Sequence, residues 1–185
     1  MDRFILKEGE PIPSINAFDI FDNELDLESL KGKKLLIAFF RHVGCPFCNI
    51  RAHTLQMAYP HLKKRGMEMI FFFESTKEVL LANHFYENMS PVPIISDPDR
   101  EWYQKYGVES SRSKSIKSHI VFLIQTTLVA KFKKLPVHWM AGEESFNTIP
   151  AEFLVDERGI LRKANYWNNL KDRISMDAIM SFIKR

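Results

Sequence analysis

Cysteine is scarce in this chain: among 185 residues there are two, Cys45 and Cys48. That count excludes a framework of several structural disulfides. Charge of one sign is lacking too. With 26 Lys and Arg against 23 Asp and Glu, the formal net charge is +3, too small a surplus to argue for a nucleic-acid partner. No apolar run approaches the roughly 20 residues that cross a bilayer. LLIAFF, residues 35 to 40, reaches six and IVFLI, residues 120 to 124, reaches five. The first residues, MDRFILKEGEPIPSI, carry neither an apolar core nor a small-residue cleavage site, so they read as mature sequence without an export signal. These absences predict a cytoplasmic protein with no membrane partner. In that compartment a Cys-x-x-Cys pair is catalytic or metal-binding more often than structural.

What the chain does have is apolar mass. Hydrophobic residues make up 45% of it and 15 residues are Phe, so folding needs neither a disulfide nor a metal. Residues 1–185 read as a single domain with a helical insertion at about 110–148. Around the Asp-Asn turn signal of FDIFDNELDL, residues 17 to 30 suggest a hairpin. LLIAFF and MEMIFFF (67–73) predict strands buried on both faces. The segment after Cys48 fits a helix that Pro60 should bend or end, with Gly66 closing it. Thr76 is the expected N-cap of a helix over TKEVLLANHFYENM. A short strand follows in PVPIISD, and then a short helix ended at Gly107. PAEFLVD and ILRKANYW predict a strand hairpin turning at residues 157–159, and Ser175 caps a last helix. Strand, helix, strand, helix, strand in this order predicts an α/β fold with parallel pairing at its centre. Between 112 and 135, an Ile/Leu stripe flanked by lysines predicts an amphipathic helix. Its plain reading is an extra helix packed on the sheet; a cap over the site, a dimer surface or an anionic-surface contact are the alternatives.

Chemistry centres on FRHVGCPFCNIRAHTL, residues 40 to 55. A thiol is a nucleophile only when ionised, and a helix N-terminus favours the anion. A buried strand through Phe40, a turn over 41 to 44 and a helix opening with Pro46 would put Cys45 at such an N-terminus. Cys48 then lies on the same side of the first turn. Arg41 and His42 add positive charge. Cys45 would attack a substrate, and Cys48 would release the product by closing an internal disulfide. Two other readings stand beside this one. The cysteines can be inert core residues. They can also ligate zinc with His42 and His53, but a helical His53 points away from the cysteine face and no second Cys-x-x-Cys completes the site. His53, His61 and His84 read as ordinary surface or boundary histidines.

GEPIPSINAFDIFDNELDLESLKGKKLLIAFFRHVGCPFC, SDPDREWYQKYGV and PAEFLVDERGILRKANYW together resemble the peroxiredoxin-like branch of the alkyl hydroperoxide reductase / thiol-specific antioxidant family. The likeness spans most of the chain outside about 110 to 148. It implies a thioredoxin-like fold: a central mixed β-sheet with helices on both faces and an N-terminal β extension. It also implies Cys45 as nucleophile, Cys48 as resolving cysteine and Pro150 as a cis proline that positions substrate. No cofactor and no metal is implied. The expected partners are a thioredoxin- or glutathione-type reductant, a protein disulfide or hydroperoxide substrate, and a second copy in a homodimer.

The departures are specific. Peroxiredoxins carry Pro-x-x-x-Thr/Ser-x-x-Cys, but Ala38 and His42 stand seven and three residues before Cys45, and Arg41 and Cys45 before Cys48. Gly44 replaces the Trp that precedes the first thioredoxin cysteine, and Phe39 stands where thioredoxins keep a buried acid. Glu10, His42 or water are left as proton acceptors for Cys48. The reading is therefore a thiol-based oxidoreductase acting on disulfides or hydroperoxides. Its alternative is a thioredoxin-fold binding module in which the pair is a redox sensor.

Overall fold

The computed structural model describes residues 4–83, 91–108, 148–168 and 172–184. The expected insertion at about 110–148, its amphipathic helix and His84 therefore lie almost wholly outside the described residues.

Strands β1 (Asn16–Phe18) and β2 (Glu24–Asp26) pair antiparallel as a separate two-stranded sheet. Asp19 builds the turn between them: its Oδ1 accepts from the Phe21 and Asn23 amides at 2.8 and 2.9 Å. Asp22 takes the left-handed backbone there, φ 63°, which a short polar side chain tolerates. This is the hairpin that the residues predict and the N-terminal β extension that the family resemblance implies.

The main sheet has five strands in the order β5-β4-β3-β6-β7. They are β3 (Lys34–Phe39), β4 (Met67–Phe73), β5 (Ile94–Ser96), β6 (Ala151–Val155) and β7 (Leu161–Tyr166). β3, β4 and β5 run parallel, while β6 is antiparallel to both β3 and β7. The central mixed sheet is thus the expected one.

Alternation along these strands builds two cores. Leu36, Ala38, Met69, Phe71 and Leu154 face one side, where they meet helices α1 (Pro46–Lys63), α2 (Lys77–Leu81) and α4 (Met176–Ile183). Leu35, Ile37, Phe39, Phe72 and Phe153 face the other, where they meet α3 (Glu101–Lys105). On that second side Phe39 stacks on Phe72 with ring centroids 4.5 Å apart. The Asp97 carboxylate accepts from the Glu101 and Trp102 amides at 3.0 and 2.8 Å and starts α3. Gly107, φ +66°, ends it where a Cβ would meet the Phe4 carbonyl oxygen at 2.3 Å. Ser175 caps α4 as expected, accepting from the Ala178 amide at 3.2 Å. Thr76 precedes α2 with extended backbone but makes no side-chain cap bond.

Of the two outcomes expected at Pro60, ending the helix is not the one observed: α1 continues to Lys63. Proline removes a single backbone donor, and here it sits exposed in the helix's closing turns. Leu55, Tyr59 and Leu62 meanwhile bury the opposite face in the first core, and that burial outweighs the lost bond. Among the described residues no helix is long and apolar enough to cross a membrane.

Candidate active site

β3 ends against the first turn of α1, and this junction holds the thiols. Tyr103 of α3 donates its hydroxyl to the Phe40 carbonyl and pins the strand's end. The turn that follows is fixed from three directions. The Cys45 amide donates to the His42 carbonyl at 3.0 Å, the Val43 amide to Ser75 Oγ at 2.9 Å, and Asn49 Nδ2 to the Val43 carbonyl at 2.7 Å. Cys45 is then the N-cap of α1, with extended backbone, and Pro46 takes the first helical position, where its missing N–H removes no helical bond.

Both cysteines are reduced and buried. Cys48 donates its S–H to Cys45 Sγ at 2.8 Å. Arg41 Nη1 lies 3.9 Å from Cys45 Sγ, and the Arg41 amide donates to Cys48 Sγ at 3.4 Å. These contacts split the two thiols. Burial pushes Cys45 up, but the Cys48 hydrogen bond, the Arg41 charge and the Cys48 and Phe47 amides outweigh it and bring Cys45 down to about 7. Burial pushes Cys48 well up, and the neighbouring Cys45 sulfur raises it further. One thiol is thus held near ionisation at neutral pH while its neighbour keeps its proton.

Of the residues singled out in the sequence, Arg41, Cys45 and Cys48 converge on one point. His42 is buried beside them and supplies a backbone carbonyl. Pro150 precedes β6, whose Ala151 pairs with Phe39 at the end of β3, so the proline lies at the sheet end that carries the thiols. Its carbonyl accepts from the Trp167 amide at 3.1 Å, and Ile149 shares the hydrophobic core of both cysteines. Glu10 is not part of the site. It is exposed and its carbonyl accepts from Leu161 at the start of β7, the opposite end of the sheet. His53 is half-buried in α1, and among the described residues no group of three or more His, Cys, Asp or Glu could hold a metal ion.

Two groups escaped the sequence reading. Glu152 of β6 and Arg51 of α1 form a buried bidentate ion pair, 2.6 and 2.8 Å, on the α1 side of the sheet. Thr148 Oγ1 and Trp167 Nε1, on either side of β6–β7, are buried without a hydrogen-bond partner among the described residues. A charge inside the otherwise apolar strand AEFLV was the one sequence signal for Glu152.

A mixed sheet with helices on both faces and a dithiol at a helix start defines the thioredoxin-like class of thiol redox enzymes. The chain belongs to the AhpC/TSA family, whose model matches residues 9–164. It is 23% identical over 108 residues to peroxiredoxin Bcp of Escherichia coli (strain K12), covering 58% of this chain and 69% of that one. It is 23% identical over 103 residues to thiol-disulfide oxidoreductase ResA of Bacillus subtilis (strain 168), covering 56% and 57%. The fold matches that of a thiol peroxidase from Chromobacterium violaceum with a TM-score of 0.64 and 16% identity, over 98% of this chain and 88% of that one. The protein is therefore a thiol-based oxidoreductase or peroxidase of the peroxiredoxin-like kind.

Proposed function

We propose that Cys45 and Cys48 are the redox centre and that the chain reduces disulfides through them. The observation that carries this reading is the asymmetry of the pair: Cys45 lowered to about 7 beside Arg41, Cys48 still protonated with its S–H 2.8 Å from Cys45 Sγ. The Cys45 thiolate attacks one sulfur of a substrate disulfide. A new S–S bond forms and the other substrate sulfur leaves as a thiolate. Cys48 then loses its proton to that leaving thiolate or to water and attacks Cys45. The second substrate sulfur departs, two electrons have passed to the substrate, and the Cys45–Cys48 disulfide remains. A thioredoxin- or glutathione-type reductant in the cytoplasm restores the dithiol. Arg41 stabilises the thiolate, His42 shapes the turn, and Pro150 positions the substrate.

A hydroperoxide is the second reading, and one observation favours it: Cys45 is 1% exposed, which suits a small substrate. The thiolate would take the terminal oxygen of the hydroperoxide and release the alcohol. Cys48 would then condense with the sulfenic acid, expelling water. His42 stands where peroxidases of this family keep a hydroxyl three residues before the nucleophile, which favours the disulfide.

Turnover of a protein disulfide and of a small hydroperoxide, each coupled to a thiol reductant, tests both. Cys45→Ser should abolish both activities, and Cys48→Ser should accumulate a mixed disulfide with Cys45 visible by intact mass. Full turnover by Cys45→Ser in both assays would mean that the pair is not the redox centre, leaving a sensor or binding module.

A further inference from the structure

One helical turn beyond Cys48 lies a buried charge cluster that the redox steps do not use. Arg51 follows Cys48 by three residues, the spacing that makes neighbours on one helix face, with Cβ atoms about 5–6 Å apart. Glu152 is paired with Ala38 in the β3–β6 ladder and shares its side of the sheet with Leu154, toward α1. Arg51 Nε and Nη2 donate to Glu152 Oε1 and Oε2 at 2.6 and 2.8 Å, with side chains 1% and 0% exposed. Ile174, leading into α4, closes the cluster. Its carbonyl accepts from Arg51 Nη2 at 2.7 Å and its amide donates to Glu152 Oε2 at 2.8 Å. Half-buried Arg173 stands next to it. Burial lowers its basicity, the Arg51 charge lowers it further, and Glu152, Cys48 and Asp172 raise it, so Arg173 is in electrostatic reach of both the pair and the thiol.

Stability is a poor reason for such a pair. Removing two ions from water is costly, and apolar residues of the same shape often serve as well or better. Its position gives the better reason. The Arg51–Glu152 pair lies one turn from Cys48 on the redox helix, with Arg173 and its neighbour Asp172 beside it.

We propose that Glu152 is a positioning residue of the redox centre: it neutralises the cationic field of Arg51 and Arg173 and thereby sets the equilibrium between dithiol and disulfide. The inference rests on the reading of Cys45 and Cys48 as a redox pair. The reduced form carries a thiolate and the disulfide is neutral. Uncompensated positive charge nearby stabilises the reduced form, and uncompensated negative charge does the reverse. Among the described residues, the other charged or titratable groups around the thiols and the cluster are Arg41 and His42 after β3, Glu74 after β4, Tyr103 in α3 and Asp172 beside Arg173. They are the same in every variant below.

The full-length protein is equilibrated with glutathione and glutathione disulfide, and the Cys45–Cys48 disulfide is quantified by thiol alkylation and mass. Oxidation releases two electrons and the thiol protons, which convert one glutathione disulfide to two glutathiones. Glu152→Gln should lower the oxidation constant about tenfold, a potential about 30 mV more positive. Arg51→Gln should raise it by a similar factor, and the apolar double variant Arg51→Met/Glu152→Leu should return close to wild type. A merely structural pair would shift both single variants in one direction. If they move together, or neither moves, while the wild-type couple is present, the inference is wrong. If the wild type shows no couple with glutathione, the reading of the pair itself has failed. Should a buried single variant not fold, Arg173→Gln leaves the ion pair intact and should raise the constant about threefold; no change there overturns the proposal.

Discussion

Cys45 and Cys48 are the same thiol three residues apart, yet the fold gives one its charge and denies it to the other. The difference comes from a few contacts. Cys45 receives the Cys48 S–H, the Arg41 guanidinium and helix-start amides, and Cys48 receives the Arg41 amide but faces the sulfur to which it donates its hydrogen bond. Both are buried, so burial cannot distinguish them. Arg41→Met isolates the guanidinium, since the backbone amide that reaches Cys48 survives. Without that charge 3.9 Å away, Cys45 should titrate higher and its alkylation rate near neutral pH should fall about threefold to tenfold. Alkylation rate against pH measures both quantities. An unchanged midpoint would show that the helix start and Cys48 suffice to ionise Cys45.

Elements differ in how openly they announce themselves. β3 and β4 were legible because LLIAFF and MEMIFFF are apolar at every position that a doubly covered parallel strand buries. The helix start at Cys45 and Pro46 was legible because a buried strand, a short turn and a proline suited to the first helical position all point to it. Arg51 and Glu152 were not. They are 101 residues apart in sequence, and Glu152 in AEFLV reads equally well as a solvent-facing position of a half-covered strand. Only the coverage of that face by α1 turns it inward. The acid absent at Phe39 thus has a counterpart one strand away, already committed to an arginine. As a helix end, Pro60 misled for the opposite reason. A strong local signal lost to packing, because Leu55, Tyr59 and Leu62 hold α1 on the sheet through the proline. Pro60→Ala restores an N–H to the helix and removes the ring. Offset by the greater freedom of the unfolded chain, it should still raise stability by about 1 kcal/mol in a denaturant melt. Lower stability would show that α1 gains from the proline's rigidity.

At the scale of the whole molecule the unequal thiols make the reduced protein's stability depend on pH in a defined window. In the unfolded chain both titrate near about 8.5. Folded Cys45 titrates at about 7, so across this interval the folded protein has released a proton that the unfolded chain still holds. Unfolding then takes up a proton, and stability rises as pH increases through the interval and is lost as pH falls through about 7. The full effect is on the order of 2 kcal/mol. Cys48 is protonated in both states below about 8.5 and contributes nothing there. Above that pH the unfolded chain ionises it first, and stability falls. Urea melts under reducing conditions should therefore show the stability gap between wild type and Cys45→Ser widening from about pH 6.5 to about pH 8.5. The serine does not titrate, so groups common to both proteins cancel in the difference. A gap that stays constant would mean that folding leaves Cys45 an ordinary thiol, and the proposed nucleophile would then have to gain its charge from the bound substrate.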